Sequence, residues 1–315
     1  MPGKVQAARS ARPATSNTQT RLRVPADLDF AAACARVRHY QPFDGLLRFA
    51  LPARLVSALR VAARVAIERH GLHGFLNSTG RLAGDYESLS LTYNPNLRDP
   101  GIDDVHQSTL GNSDIMPDEY YNDTTHLNRG SRPFRRLADT ADTYFDTYGF
   151  RLLTPAAQIG ALGKFFSECR LSPIRSRLSV LFGDRADQTD FKFGWHRDEP
   201  VFENLRINIP LVAHPNYRLQ IEHQDDVPSE DSPSMSLHYL KTGYAYTFDT
   251  NRPHRVFPYR PCRIMRVHLV LGFAPWFRYD AAADQWLPNE YYGRVHPFDI
   301  LRRGGLHPAL TFAVV

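Results

Sequence analysis

Cysteine is scarce: the 315 residues hold three, Cys34, Cys169 and Cys262, and no two form a C-x-x-C pair. That argues against a cysteine zinc site and a disulfide framework, and it suits a reducing, cytoplasmic setting. No apolar run reaches the length needed to cross a bilayer, and no signal-peptide core is visible, so neither a membrane partner nor export is expected. Residues 24–315 contain no internal repeat and no long low-complexity linker. Lectin, peptide-repeat and nucleic-acid modules are also missing.

Acidic residues are absent from positions 1–23, which carry Lys4, Arg9, Arg12, Arg21 and Arg23. These five bases equal the whole net charge of +5, so residues 24–315 are formally neutral. A stretch of Ala, Ser, Thr, Pro and Arg predicts a disordered basic tail, and an amphipathic helix of the transit-peptide kind is not evident in it. A neutral body offers nucleic acid no electrostatic footprint.

Residues 24–315 read as one domain in three parts. The first, 24–172, reads as mainly helical. "LPARLVSALRVAARVAIERHG" spaces Leu51, Leu55, Leu59, Ala62, Ala66 and Ile67 at helical intervals and stops at Gly71. "SRPFRRLADTADTYFDTYGF" predicts a second helix. "TPAAQIGALGKFFSECRLS" predicts a third, with Thr154 as N-cap and Pro155 at its first position. Over 173–280 the texture changes to strands: "IRSRLSVLF", "LRINIPLVA", "YRLQIEH", "GYAYTFD" and "IMRVHLVLGF", separated by turn residues. Short strands so interrupted suggest a β-sandwich or jelly roll with the helices packed outside it. Residues 281–315 form a C-terminal segment.

In "FGWHRDEP" His196 and Asp198 stand two apart, and on a strand they would share a face. One imidazole and one carboxylate are two-thirds of the facial triad that holds non-haem iron, and His254, in "DTNRPHRVF", can supply the third ligand. Against this, thirteen histidines make an H-x-D pair unremarkable, and His223-Gln224-Asp225 is a second one, followed by an acidic loop. Arg266 sits within the apolar strand "RVHLVLGF", where a guanidinium needs a partner and suits bidentate capture of a carboxylate. Pairing with one of the chain's own acids would meet that need as well.

The order of these segments resembles the aspartyl/asparaginyl β-hydroxylase branch of the Fe(II)/2-oxoglutarate-dependent oxygenases. The likeness covers roughly residues 174–275: "SRLSVLFG", "WHRD", "LRINIPL", "GYAYTFDTNRPHRVF" and "RVHLVLGF" follow one another as the family's motifs do. It implies an α+β fold with a double-stranded β-helix (jelly-roll or cupin-like) core and packed N-terminal helices. It implies that His196, Asp198 and His254 bind Fe(II), that Arg266 grips the distal carboxylate of 2-oxoglutarate, and that Arg206 and Ser179 help hold this cosubstrate. Asn208 and His268 fall at neighbouring matched positions without an assigned role. The interval from His254 to Arg266 is about two residues longer than in the family, which makes Arg263 a rival to Arg266. O2 is the co-oxidant, and the retained Asp198 points to hydroxylation rather than halogenation. The expected partner is a small molecule, a free amino acid or one like it, with Tyr93, Asn94 and Asn96 as candidate recognition residues. Arg197 and Arg255, each next to a ligand in sequence, are expected to point away from the metal. Hydroxylation of Asp or Asn side chains in a polypeptide, and a non-catalytic jelly-roll binding protein, are the alternative readings.

Overall fold

The computed structural model describes residues 28–37, 45–76, 82–96, 103–107, 147–182, 198–222, 235–260 and 263–313. The expected helix over 131–150 lies outside these residues except for a 3-10 turn at Thr147–Gly149. Asp29 caps α1 (Phe30–Arg36) through Oδ1, which accepts from the Ala32 amide at 2.9 Å. After β1 (Leu47–Ala50) comes α2 (Ala53–His70), which buries Val56, Leu59, Ala62, Ala63 and Ala66 along one stripe. It ends where expected: Gly71 takes φ +75° and its amide donates to Ile67 O at 2.8 Å.

Three strands follow, β2 (His73–Leu76), β3 (Leu82–Ser90) and β4 (Thr92–Tyr93), and then β5 (Leu152–Leu153). Thr154 caps the next turn as expected, its Oγ1 accepting from the Ala157 amide at 3.3 Å. The helix predicted from this point is broken in two. Pro155–Gln158 is 3-10, the chain turns at Gly160 with φ +50°, and α3 (Gly160–Glu168) starts afresh. The reading of residues 24–172 as mainly helical also missed the strands β1 to β3, which join the main sheet. A four-residue strand such as "LRFA" spans too few alternations for its period to stand out.

The remaining elements are β6 (Ser172–Leu181), β7 (Leu205–Val212), β8 (Tyr217–Glu222), β9 (Met235–His238), β10 (Tyr244–Thr247), β11 (His254–Pro258), β12 (Arg266–Ala274), the hairpin β13 (Phe277–Asp280) and β14 (Gln285–Pro288), α4 (Pro297–Arg302) and β15 (Thr311–Ala313). Eight strands make one antiparallel sheet in the order β15-β1-β10-β7-β12-β6-β3-β2, and a second antiparallel sheet runs β11-β8-β9. Among the described residues no helix is long and apolar enough to cross a membrane.

Strand alternation gives the large sheet two unlike faces. Leu178 and Val180 of β6, Ile207 and Ile209 of β7, and Val267, Leu269 and Leu271 of β12 enter the main core. The helices α2 and α3 pack there, and Arg60 ties α2 to the sheet by donating from Nε to Leu211 O at 2.8 Å. The other face presents Arg177, Ser179 and Leu181, Arg206 and Asn208, and Arg266 and Val270, all lining one cavity. The small sheet supplies the opposite wall through Leu219, His254 and Val256. A smaller apolar cluster of Leu219, Ile221, Leu240, Tyr246 and Phe248 holds the two sheets together beside that cavity.

β12 can sit against β6 only because residue 272 is glycine. A Cβ there would stand 2.4 Å from Ile174 O and 2.6 Å from Asn204 Oδ1, and the strand register shifts between Val270 and Gly272. Gly272→Ala is therefore expected to destabilise the protein by about 1–3 kcal/mol in urea denaturation. A variant as stable as the parent would contradict this packing.

Candidate metal centre

Asp198 and His254 are 56 residues apart in sequence, and backbone contacts on the turn before β11 bring them together. The Asp198 amide donates to Thr250 O at 2.8 Å, and Thr250 Oγ1 donates back to Glu199 O at 3.1 Å. The turn is held by Asp249, whose Oδ1 accepts from the Asn251 amide at 3.1 Å. Pro253 then leads into β11, whose first residue is His254. The imidazole lies edge-on to Phe248, with ring centroids 4.9 Å apart.

His254 Nδ1 is 2.9 Å from Arg252 O. A carbonyl can only accept, so Nδ1 carries a hydrogen, which leaves Nε2 as the ring nitrogen that can serve as a ligand. That nitrogen stands 3.5 Å from Asp198 Oδ2. Two donors each about 2.1 Å from one cation, at right angles, are about 3 Å apart, so this is nearly the spacing of neighbouring ligands. Among the described residues no group of three metal-binding side chains is formed. His196 and Arg197 lie outside the described residues.

The same Oδ2 of Asp198 accepts from Arg206 Nη1 at 2.5 Å, while Arg206 Nη2 donates to Glu199 Oε2 at 2.6 Å. Glu199 Oε1 takes Thr147 Oγ1 at 2.9 Å and Arg175 Nη1 at 3.4 Å. Asp198, Arg206, Glu199 and Arg175 thus alternate in charge. Burial by itself would raise the Glu199 carboxyl, but Arg206 and Arg175 overcome it and pull it down to about 2. Arg175 reaches this line from a strained backbone at φ +40°, beside the register shift in β6.

Arg266 and His268 project from the same face of β12. Arg266 is buried, and its Nη2 stands 2.8 Å from Nδ1 of the buried His268. Burial, and then the Arg266 charge, hold the His268 imidazole well below its ordinary value, so the ring is neutral and Nδ1 accepts. Ser179 is directly opposite His268 across the β6–β12 pair and lines the cavity with Arg266. Arg263 is exposed in the bend before β12.

Of the sequence candidates, Asp198, His254, Arg206, Ser179, Asn208 and Arg266 line one cavity. Arg255 points away from it as expected, its Nε bonded to Gln220 on the neighbouring strand. Tyr93, Asn94 and Asn96 are not among the lining residues. Asn94 Oδ1 instead accepts from the Asn96 amide at 3.0 Å, closing its own turn. Sequence reasoning missed Glu199, Arg175, Thr250 and Arg177. Glu199 was in view beside Asp198, but residues 198–200 are irregular, and strand alternation gives no guide there.

No family model and no curated protein matches the chain. Solved structures do. One is the non-heme alpha ketoglutarate dependent epimerase SnoN from nogalamycin biosynthesis: 15% identity, TM-score 0.34, covering 78% of this chain and 83% of that one. Another is a prolyl-4-hydroxylase from Pseudomonas putida: 14% identity, TM-score 0.34, covering 78% and 98%. A third is AviO1 from Streptomyces viridochromogenes Tue57: 16% identity, TM-score 0.32, covering 79% and 96%. At these TM-scores the chemistry of this chain has to be read from its own residues.

A carboxyl held below its ordinary 4.5 stabilises the fold above that value and loses its contribution as the pH falls towards about 2. Glu199→Gln is expected to flatten this acid limb of the stability profile. At neutral pH it should cost about 3 kcal/mol, because two buried guanidinium groups lose their shared carboxylate. Denaturation across a pH series measures both effects, and an unchanged acid limb would contradict the assignment.

Proposed function

We propose that the chain is an Fe(II)- and 2-oxoglutarate-dependent dioxygenase that hydroxylates an unactivated C–H bond of a free amino acid or similar small molecule. The two facing sheets are, in this reading, the halves of a double-stranded β-helix. The observation that carries it is the approach of His254 Nε2 to Asp198 Oδ2, 3.5 Å, in a cavity that also holds buried Arg266. An imidazole nitrogen and a carboxylate oxygen fit a first-row divalent cation. His196, Asp198 and His254 would hold the iron, which with 2-oxoglutarate and O2 supplies the oxidising chemistry.

The chain's own side chains do the binding and orienting. Arg252 O holds the His254 ring by its far nitrogen, so that Nε2 is presented to the cavity. Arg206 sets the direction of the Asp198 carboxylate and is itself anchored by Glu199. Neutral His268 fixes one edge of the Arg266 guanidinium, presenting a planar fork to the distal carboxylate of 2-oxoglutarate, with the Ser179 hydroxyl nearby. Leu219, Leu240, Phe248, Val256 and Val270 give the cavity an apolar lining that limits water.

Anaerobic addition of Fe(II) and 2-oxoglutarate to the metal-free protein is expected to produce the visible charge-transfer band of a chelated keto acid. His254→Ala should abolish it. Arg266→Gln should weaken 2-oxoglutarate binding about 100-fold, and His268→Leu about tenfold, through lost charged hydrogen bonds. A folded parent protein that shows no band would overturn the oxygenase reading.

A further inference from the structure

A second, smaller cavity adjoins the first at Arg266. Arg266 and Leu240 line both spaces, whereas His268, Ala213 and Arg218 line only the second. Among the described residues no carboxylate lines it. At about 10 Å³ it has room for one water-sized body.

His268 brings a hydrogen-bond donor to this space. The residue is 1% exposed, and its Nδ1 accepts from Arg266 Nη2 at 2.8 Å, which leaves the ring hydrogen on Nε2. Among the described residues that N–H has no acceptor, and the cavity that the ring lines is where one can sit. Arg266 is a donor as well, since a guanidinium carries N–H groups and no acceptor. A water between the two would have to turn its own hydrogens elsewhere. An anion accepts from both and also meets the positive charge. The volume excludes sulfate, phosphate and carboxylates, which leaves a monatomic ion.

We infer that this second cavity binds a halide, such as chloride, and that the halide opposes 2-oxoglutarate through Arg266. The binding site stands on the cavity alone, whereas the opposition rests on the oxygenase reading above. In that reading the far carboxylate of 2-oxoglutarate takes the Arg266 fork from the large cavity. A halide in the small one accepts from the same guanidinium and repels that carboxylate. Linkage makes the effect reciprocal, so each anion weakens the other by the same factor.

The test measures the chloride NMR line width with the metal-free full chain. Sodium chloride is exchanged against sodium methanesulfonate, whose anion is too large for the cavity, so that the ionic strength stays constant. The parent protein is expected to broaden the line, and His268→Leu should remove the broadening. Ala213→Leu, which fills the cavity and leaves His268 and Arg266 in place, should remove it too while keeping the visible band with Fe(II) and 2-oxoglutarate. Followed anaerobically by that band, 2-oxoglutarate should bind the parent on the order of fivefold more weakly in chloride than in methanesulfonate. In Ala213→Leu the two salts should give equal affinities, whereas chloride acting at the iron would still weaken binding there and overturn the opposition. No broadening by the parent, or broadening that survives Ala213→Leu, would overturn the site. Equal affinities in the parent would overturn the opposition as well. A parent that broadens the line but shows no visible band would instead sink the oxygenase reading and leave the halide site standing.

Discussion

Four charges taken out of bulk water in alternating order, Asp198, Arg206, Glu199 and Arg175, carry the cavity floor. A buried ion pair is weak evidence for stability, because desolvation consumes most of the attraction. What such a line does well is fix position. Each guanidinium here has a carboxylate within 3.4 Å or less, so moving one member exposes an uncompensated charge on the next. The carboxylate at the end of the line, Asp198, is thereby held where His254 can meet it. Arg175, at the far end of the line, takes its φ of +40° where the β6–β12 register shifts beside Gly272.

The two faces of the large sheet show how one alternating pattern serves two purposes. Val267, Leu269 and Leu271 pack into the main core and anchor β12 there. Arg266 and His268, one residue out of phase, then project from a rigid support. Rigid support matters for a bidentate contact, which is lost by small displacements. The second sheet adds less apolar contact, through Leu219, Ile221 and Val256, and leaves room between the layers.

Much of this was legible in the sequence where a residue's role is local. Gly71 ending α2 and Thr154 capping its turn follow from backbone chemistry within a few residues. The strands β6, β7, β8, β10 and β12 were visible because their branched and aromatic residues run long enough to show a period. Arg266 stands in the buried strand β12, whereas Arg263 lies in the exposed bend before it. Short strands such as β1 escaped notice, as did the break at Gly160. Glu199 and Arg175 could not be found from pattern at all. Their partnership is long-range, and Arg175 sits where the regular alternation fails. Asn94 was misjudged for a different reason: a polar side chain in an irregular stretch more often satisfies its own turn than a ligand.

The most direct measurement is a crystal structure from protein grown without oxygen in the presence of Mn(II) and 2-oxoglutarate. The account predicts an anomalous peak about 2.0–2.2 Å from both Asp198 Oδ2 and His254 Nε2. It also predicts the far carboxylate of 2-oxoglutarate on the Arg266 fork. A metal bound elsewhere, or Asp198 still closed onto Arg206 with no cation beside it, would contradict it.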